Sequence, residues 1–324
     1  MISRRIIRIK AMQSLYAFHT SPDQTIKQAE KELFHSINRT YDLYHLLLQL
    51  LVEVHKYAQE RINSAKLKNF PTDEDLNPNT KFINNGVIVS LSNNTHLFEY
   101  VDSKKVNWVE NYGFIKKMYQ KLIESDYYAK YISNNENSIK EDRELVEYFY
   151  AVILDESDDF YQLLEEQSIY WNDDIEFVIS MIIRTLGKFK ANTPEFKSLM
   201  PLFKDQEDED FTKELIRKSI VNSDEYRSII KSHLKNWEID RVAFIDVLIM
   251  EMAICEFVNF PSVPTKVSLN EYIDLARYYS TIKSRTFING ILDKIVRSLK
   301  EDGKINKEGR GLIEETKATK KISK

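Results

Sequence analysis

Residues 264–299 read PTKVSLNEYIDLARYYSTIKSRTFINGILDKIVRSL, and their spacing decides the fold class. Leu269, Tyr272, Ile273, Ala276 and Tyr279 recur at helical intervals, and so, after a junction at residues 280–284, do Ile288, Ile291, Leu292, Ile295 and Leu299. The stretch is two amphipathic helices. Asn270 and Glu271 interrupt the first apolar frame, whereas Phe287 and Asn289 flank the second without belonging to it. Gly290 lies within the second helix, where glycine costs about 0.5–1 kcal/mol relative to alanine, so it predicts close backbone approach by a neighbouring helix or a ligand.

The same periodicity extends along the chain. Only seven glycines and seven prolines interrupt 324 residues, which predicts an all-α protein of one large domain or two. Helices are predicted at 3–18, with Ser3 as N-cap, and at about 23–65, with an apolar centre at 43–54 and a candidate break near Asn38. Residues 66–104 carry Pro71, Pro78, Gly86 and several asparagines, reading as loops around a short extended piece at 87–91. Further helices are predicted at about 105–131, 142–154, 158–170, 173–190, 211–221, 223–235 and 239–258, with a break at 192–201. Residues 301–324 lack apolar periodicity and read as a basic, disordered tail.

The net charge of −4 conceals an asymmetry. Residues 1–20 carry +4 and residues 283–324 carry +6, leaving −14 for the middle. Two basic ends suit a polyanionic partner that the acidic body would repel. Cys255 is the single cysteine, excluding an intramolecular disulfide or a cysteine-based zinc site and suggesting a reducing compartment. No run reaches the roughly 18 apolar residues of a membrane span, and no cleavage signal follows the basic start, so a cytoplasmic location is expected.

In the first helix Arg4, Arg5 and Arg8 share an arc of about 100°, with Lys10 on the opposite side. Three guanidinium forks in one patch suit a phosphate backbone or a single-stranded base, although a solvated helix end is the simpler account. The following Ile6, Ile7, Ile9, Ala11, Met12, Leu15, Tyr16 and Phe18 leave almost no polar face, which requires burial or a covering partner.

An enzyme finds little support. The acidic clusters at 155–159 and 173–176 superficially resemble the magnesium-diphosphate sites of helical isoprenoid enzymes, but they precede apolar frames, where acids serve helix N-termini. There is no HExxH spacing, glycine-rich phosphate loop or nucleophile motif, so no catalytic residue, metal or cofactor is expected.

Both ends carry matching motifs. Near the start stands Ser3-Arg4-Arg5-x-x-Arg8-x-x-Ala11-x-Gln13-x-Leu15-Tyr16. Toward the end stand Ala253-x-x-Glu256, Val263-Pro264-x-Lys266-Val267-x-Leu269-Asn270-Glu271 and Phe287-Ile288-Asn289-Gly290-x-Leu292-Asp293-Lys294. In this order they resemble the NusB family of bacterial transcription antitermination factors, a helical RNA-binding fold, most closely from Phe211 to Leu299.

The resemblance implies a discontinuous NusB-like domain at 1–39 and 205–300, a mainly helical insertion at 40–204 and the tail at 301–324. It implies that Arg4, Arg5 and Arg8 contact the single-stranded boxA element of ribosomal RNA transcripts, with Phe287 and Asn289 on the same surface. It further implies that Tyr16 and Glu256 meet NusE, a ribosomal protein, and that the pair joins other Nus factors on RNA polymerase to suppress termination. A scaffold that binds protein without specific RNA recognition is the alternative. The chain departs from the family pattern at Glu251, often basic there, at Cys255, usually aromatic, and at Lys283, often acidic. The last adds positive charge beside the RNA surface. Family members are typically less than half as long.

Overall fold

The computed structural model describes residues 1–134, 136–188, 199–234 and 238–312. Among these residues there are fifteen α-helices and no strand, so the protein is all-α. In chain order the first ten are α1 (Arg4–Thr20), α2 (Ile26–Lys66), α3 (Asp73–Leu76), α4 (Gly86–Ser92), α5 (Thr95–Lys104), α6 (Tyr112–Ile123), α7 (Asp126–Ser133), α8 (Ile139–Tyr148), α9 (Asp158–Gln167) and α10 (Ile175–Leu186). Then follow α11 (Gln206–Val221), α12 (Ser223–His233), α13 (Phe244–Asn259), α14 (Thr265–Tyr279) and α15 (Ile282–Glu301). The chain forms two compact units, one of Met1 with residues 38–202, the other of residues 2–37 and those from 203 onward.

The second unit is organised around α13. Its sequence, FIDVLIMEMAICEFVN, is apolar on nearly every side, and every residue from Asp246 to Phe257 is buried. Such a helix must be enclosed. It is packed by α1, α11, α12, α14 and α15. Helix α1 begins at Ser3, whose side chain accepts from the Ile6 amide, and Thr281 caps α15 by accepting from the Ser284 amide at 3.1 Å. The buried residues of α15 are Ile288, Ile291, Leu292, Ile295 and Leu299, the stripe read from spacing. In α14 the buried face is Thr265, Ser268, Tyr272, Leu275 and Ala276, so Leu269 and Ile273 lie at its edge rather than its centre.

The first unit is built against the apolar part of α2. Leu43, Leu46, Leu47, Leu50 and Val54 are fully buried. Three aromatic side chains donate to carbonyls of this helix: Trp171 Nε1 to Arg39 at 2.7 Å, Trp108 Nε1 to Leu46 at 2.8 Å and Tyr150 Oη to Leu47 at 2.8 Å. Large rings thus enter the core with their polar atoms satisfied.

Several local expectations change. Helix α2 is continuous through Asn38, since its sequence holds no glycine or proline and one asparagine is too weak a breaker. Residues 87–91 are helical, not extended, because Asn85 accepts from the Val87 and Ile88 amides at 3.1 Å each and starts α4. The helix expected at 105–131 is two, since Ser125 caps α7. A π-helical turn at Phe149–Leu154 follows α8.

Gly290 is exposed and a Cβ there would meet nothing within 4 Å, so the close approach expected of it is absent. The tightly packed glycine is Gly311, where a Cβ would run into the Pro261 carbonyl. Residues 302–312, expected to be disordered, are held there: Lys307 Nζ donates to the Phe260 carbonyl at 2.9 Å, and the Glu308 amide to that of Pro261 at 3.0 Å. The remainder of the expected tail, 313–324, lies outside the described residues, as do parts of the predicted helix ends near 190 and 235 and most of the break at 192–201. Among the described residues no helix is long and apolar enough to cross a membrane.

Candidate nucleic-acid interface

The N-terminal turn of α1 lies against α11, α13 and α14, and each arginine of its arc meets a different environment. Arg4 Nε donates to Asp208 at 2.7 Å and its Nη2 to Glu207 at 2.8 Å, with the guanidinium 4.9 Å from the Phe211 ring centre. The Arg4 hydrogen bond and charge hold the Glu207 carboxyl below its ordinary range. Arg5 is 41% exposed and reaches Asp274 at 3.1 Å. Surface pairs of this kind contribute little, about 0–1 kcal/mol, and yield readily to a competing phosphate.

Arg8 differs. Its side chain is 3% exposed, that of Glu256 is 0%, and they form a two-pronged pair at 2.8 and 2.6 Å. Ser268 Oγ donates to the same carboxylate at 2.6 Å and Tyr272 Oη at 2.9 Å, while Glu271 lies 3.6 Å from Arg8. Burial alone would push the Glu256 carboxyl up, but Arg8, Ser268 and Tyr272 together hold it below the ordinary range. The arc on α1 thus divides: Arg8, expected on an RNA surface with Arg4 and Arg5, is buried against α13, and Glu256, expected to meet a partner, has the donor its carboxylate requires within the chain.

The neighbouring buried acid on α13 makes the contrast clear. Glu251 accepts from Arg227 at 2.6 Å and Ser223 at 3.2 Å, yet burial pushes its carboxyl up despite the Arg227 hydrogen bond. Arg227 is half-exposed and engages with one nitrogen, so it offsets less of the desolvation than the enclosed fork of Arg8. The unusual acid at position 251 therefore has an internal partner.

Beside the start of α1 stands the corner between α14 and α15. Lys283 and Arg285 are exposed and make no ion pair among the described residues, while Phe287 and Asn289 are half-buried. Tyr278 and Arg277, passed over in the sequence, are exposed on the last turn of α14. Their signal was available: Tyr278 is an aromatic residue one step off the buried stripe. Phe211, beneath Arg4 and 5.4 Å from Arg8, was also missed, having nothing but helical spacing to mark it.

Tyr16 lies farther along α1 and is 46% exposed, tilted against Phe244 with ring centres 5.5 Å apart. His19 meets the same Phe244 ring edge-on at 5.8 Å, and burial followed by Arg227 lowers the His19 pKa. Asp224, Arg227, Lys231, Asp240 and Val247 join Phe244 around an open recess of about 530 Å³. Tyr16 is thus a surface aromatic beside a mixed-charge depression.

The acidic clusters are occupied with local structure. Asp158 and Asp159 fill the first turn of α9, Asp159 pairs with Lys117, Asp155 accepts from Tyr161 Oη at 2.8 Å, and Asp174 accepts from Thr40 at 2.6 Å. No group of three or more histidine, cysteine, aspartate or glutamate side chains among the described residues is placed to hold a metal ion.

Fold and site define a helical protein in which a basic helix start is set beside a helical hairpin whose basic corner is unpaired among the described residues. A sequence model of the NusB family matches residues 197–297. The chain is 44% identical over 114 residues to the transcription antitermination protein NusB of Salinibacter ruber, covering 35% of this chain and 71% of that relative. It is 43% identical over 105 residues to the protein of that name from Chloroherpeton thalassium, covering 32% of this chain and 50% of the relative. For the Desulfatibacillum aliphaticivorans protein, also so named, identity is 36% over 126 residues, covering 39% and 82%. No solved structure matches. The chain belongs to the NusB family.

Proposed function

We propose that this protein is a transcription antitermination factor that binds boxA-like single-stranded RNA in ribosomal RNA transcripts, together with NusE, and helps RNA polymerase with other Nus factors resist premature termination. The observation that carries the reading is the exposed pair of cations at Lys283 and Arg285, without an ion pair among the described residues, with Phe287 and Asn289 half-exposed on the same helix. Cations without carboxylate partners are free to neutralise phosphates, while the aromatic and amide groups can meet bases. Arg4 belongs to this surface at its edge, already shared with Asp208 and Glu207.

The NusE contact is assigned to Tyr16, with Phe244 beside it, because an aromatic residue with a half-exposed ring and a packed base is a good interface anchor. The unit at 38–202 is read as an insertion, and the NusB-like domain as the remaining residues up to α15. The test is RNA binding with and without NusE, comparing boxA-like RNA with a scrambled sequence. Binding that favours boxA-like RNA and tightens with NusE supports the reading. Equal binding of both RNAs, or none, favours a protein-binding scaffold.

A further inference from the structure

We propose that Tyr278 is a nucleobase-stacking platform, framed by the Arg5 and Arg277 guanidiniums, on the RNA-binding face of this chain. The inference deepens the RNA reading above and rests on it.

Tyr278 occupies the last turn of α14 and is 68% exposed. A lone exposed tyrosine would mean little. Here the Arg5 guanidinium carbon lies 5.9 Å from the ring centre and that of Arg277 5.8 Å, so cations from two separate helices approach one open ring. Those distances are at the outer limit of cation–π attraction and do not by themselves hold an aromatic side chain in water. Nor is the ring fixing the core, because the buried face of this helix is Tyr272, Leu275 and Ala276.

Its surroundings specify the ligand chemistry. Ile282, 89% exposed, starts the next helix, and the cations Lys283 and Arg285 follow it. Asp274 is the acid on Arg5, across an exposed pair at 3.1 Å. The open ring therefore has two guanidiniums close to it, one of them shared with Asp274, and an exposed aliphatic side chain and Lys283 follow in the chain. A single-stranded nucleic acid offers the complement, flat bases alternating with phosphates, and base stacking on an aromatic ring tolerates any base. A folded protein partner would meet a surface too rich in like charge for a typical interface centre, from which charged residues are depleted. The arrangement fits a base on Tyr278, with the flanking phosphates on Arg5, Arg277 and Lys283.

The test uses the full chain and a short boxA-like single-stranded RNA carrying 5-iodouridine at one position at a time. Irradiation of the wild-type complex is expected to cross-link Tyr278 at one RNA position, identified by mass spectrometry. Y278A should keep the wild-type circular dichroism and weaken binding roughly five- to hundredfold, whereas Y278F should retain affinity. Wild-type binding with Y278A unchanged in affinity and no cross-link at 278 overturns the platform and leaves the RNA reading intact. Loss of affinity in Y278F as severe as in Y278A also overturns it, because stacking does not need the hydroxyl. Failure of the wild type to bind single-stranded RNA at low salt removes the RNA reading itself, and the platform with it.

Discussion

Arg8 and Glu256, 248 residues apart in the chain, meet inside the protein as a two-pronged ion pair closed off from water. The pair joins the first helix to the central one, α13, and recruits Ser268 and Tyr272 of α14 to the same carboxylate. Three helices are thereby held in register by one charge.

Removing one partner leaves the other buried and uncompensated. Arg8→Ala or Glu256→Ala should therefore destabilise the protein by about 3–5 kcal/mol. The double variant Arg8→Met with Glu256→Leu should recover much of that loss, since two apolar side chains replace two desolvated charges. Urea denaturation of the three variants checks this, and equal loss in the double variant would contradict it.

Acid should act through the same carboxylate. The folded state holds the Glu256 carboxyl below the usual 4.5, so its contribution is complete above that value and lost as pH falls through the lower folded-state value. Wild-type stability should consequently fall more steeply below about pH 4.5 than that of Glu256→Gln. Thermal melts across pH 3–6 would show it, and parallel curves would argue that other groups dominate.

Charges at the exposed corner should appear in the salt dependence of RNA binding. Each of Lys283→Ala and Arg285→Ala should weaken affinity and lower the slope of log K against log salt by roughly 0.7, the value for one phosphate on a single strand. Lys283 and Arg285 have no ion pair to lose among the described residues, so stability should be unchanged. Titrations at several salt concentrations measure both quantities.

The two glycines near the C-terminal helix should respond in opposite directions. Gly290→Ala faces open space inside α15 and should stabilise the protein by about 0.5–1 kcal/mol. Gly311→Ala would collide with the Pro261 carbonyl and should release the segment at 302–312. Melting temperature reads the first, and faster amide hydrogen exchange at 302–312 reads the second.

Tyr16→Ala should separate protein binding from RNA binding. Because the ring is half-exposed, stability should change by no more than about 1 kcal/mol, whereas affinity for NusE should fall at least about tenfold. RNA binding by the variant alone should match the wild type. Calorimetry with NusE tests the partner assignment, and unchanged affinity would refute it.

Much of the fold was legible because helical periodicity and capping act over a few residues. The stripe of α15, Ser3 as the cap of α1 and the enclosed character of α13 are all local patterns. The extended reading of residues 87–91 failed at the same range, since Asn85 capping outweighed the strand preference of valine and isoleucine. At the site, spacing placed Arg4, Arg5 and Arg8 on one arc without distinguishing the side facing water from the side facing α13.

The sequence by itself determined an all-helical protein with basic ends and, through its motifs, the NusB family. Only the tertiary structure decided that Arg8 and Glu256 neutralise each other, that Gly290 is open while Gly311 is packed, and that Arg5 comes within 5.9 Å of the Tyr278 ring. The physical reason is range. A helix is specified by neighbours three and four positions away, whereas the partner of a charge, and hence its availability to RNA, is set by a residue hundreds of positions distant that only folding brings within 3 Å.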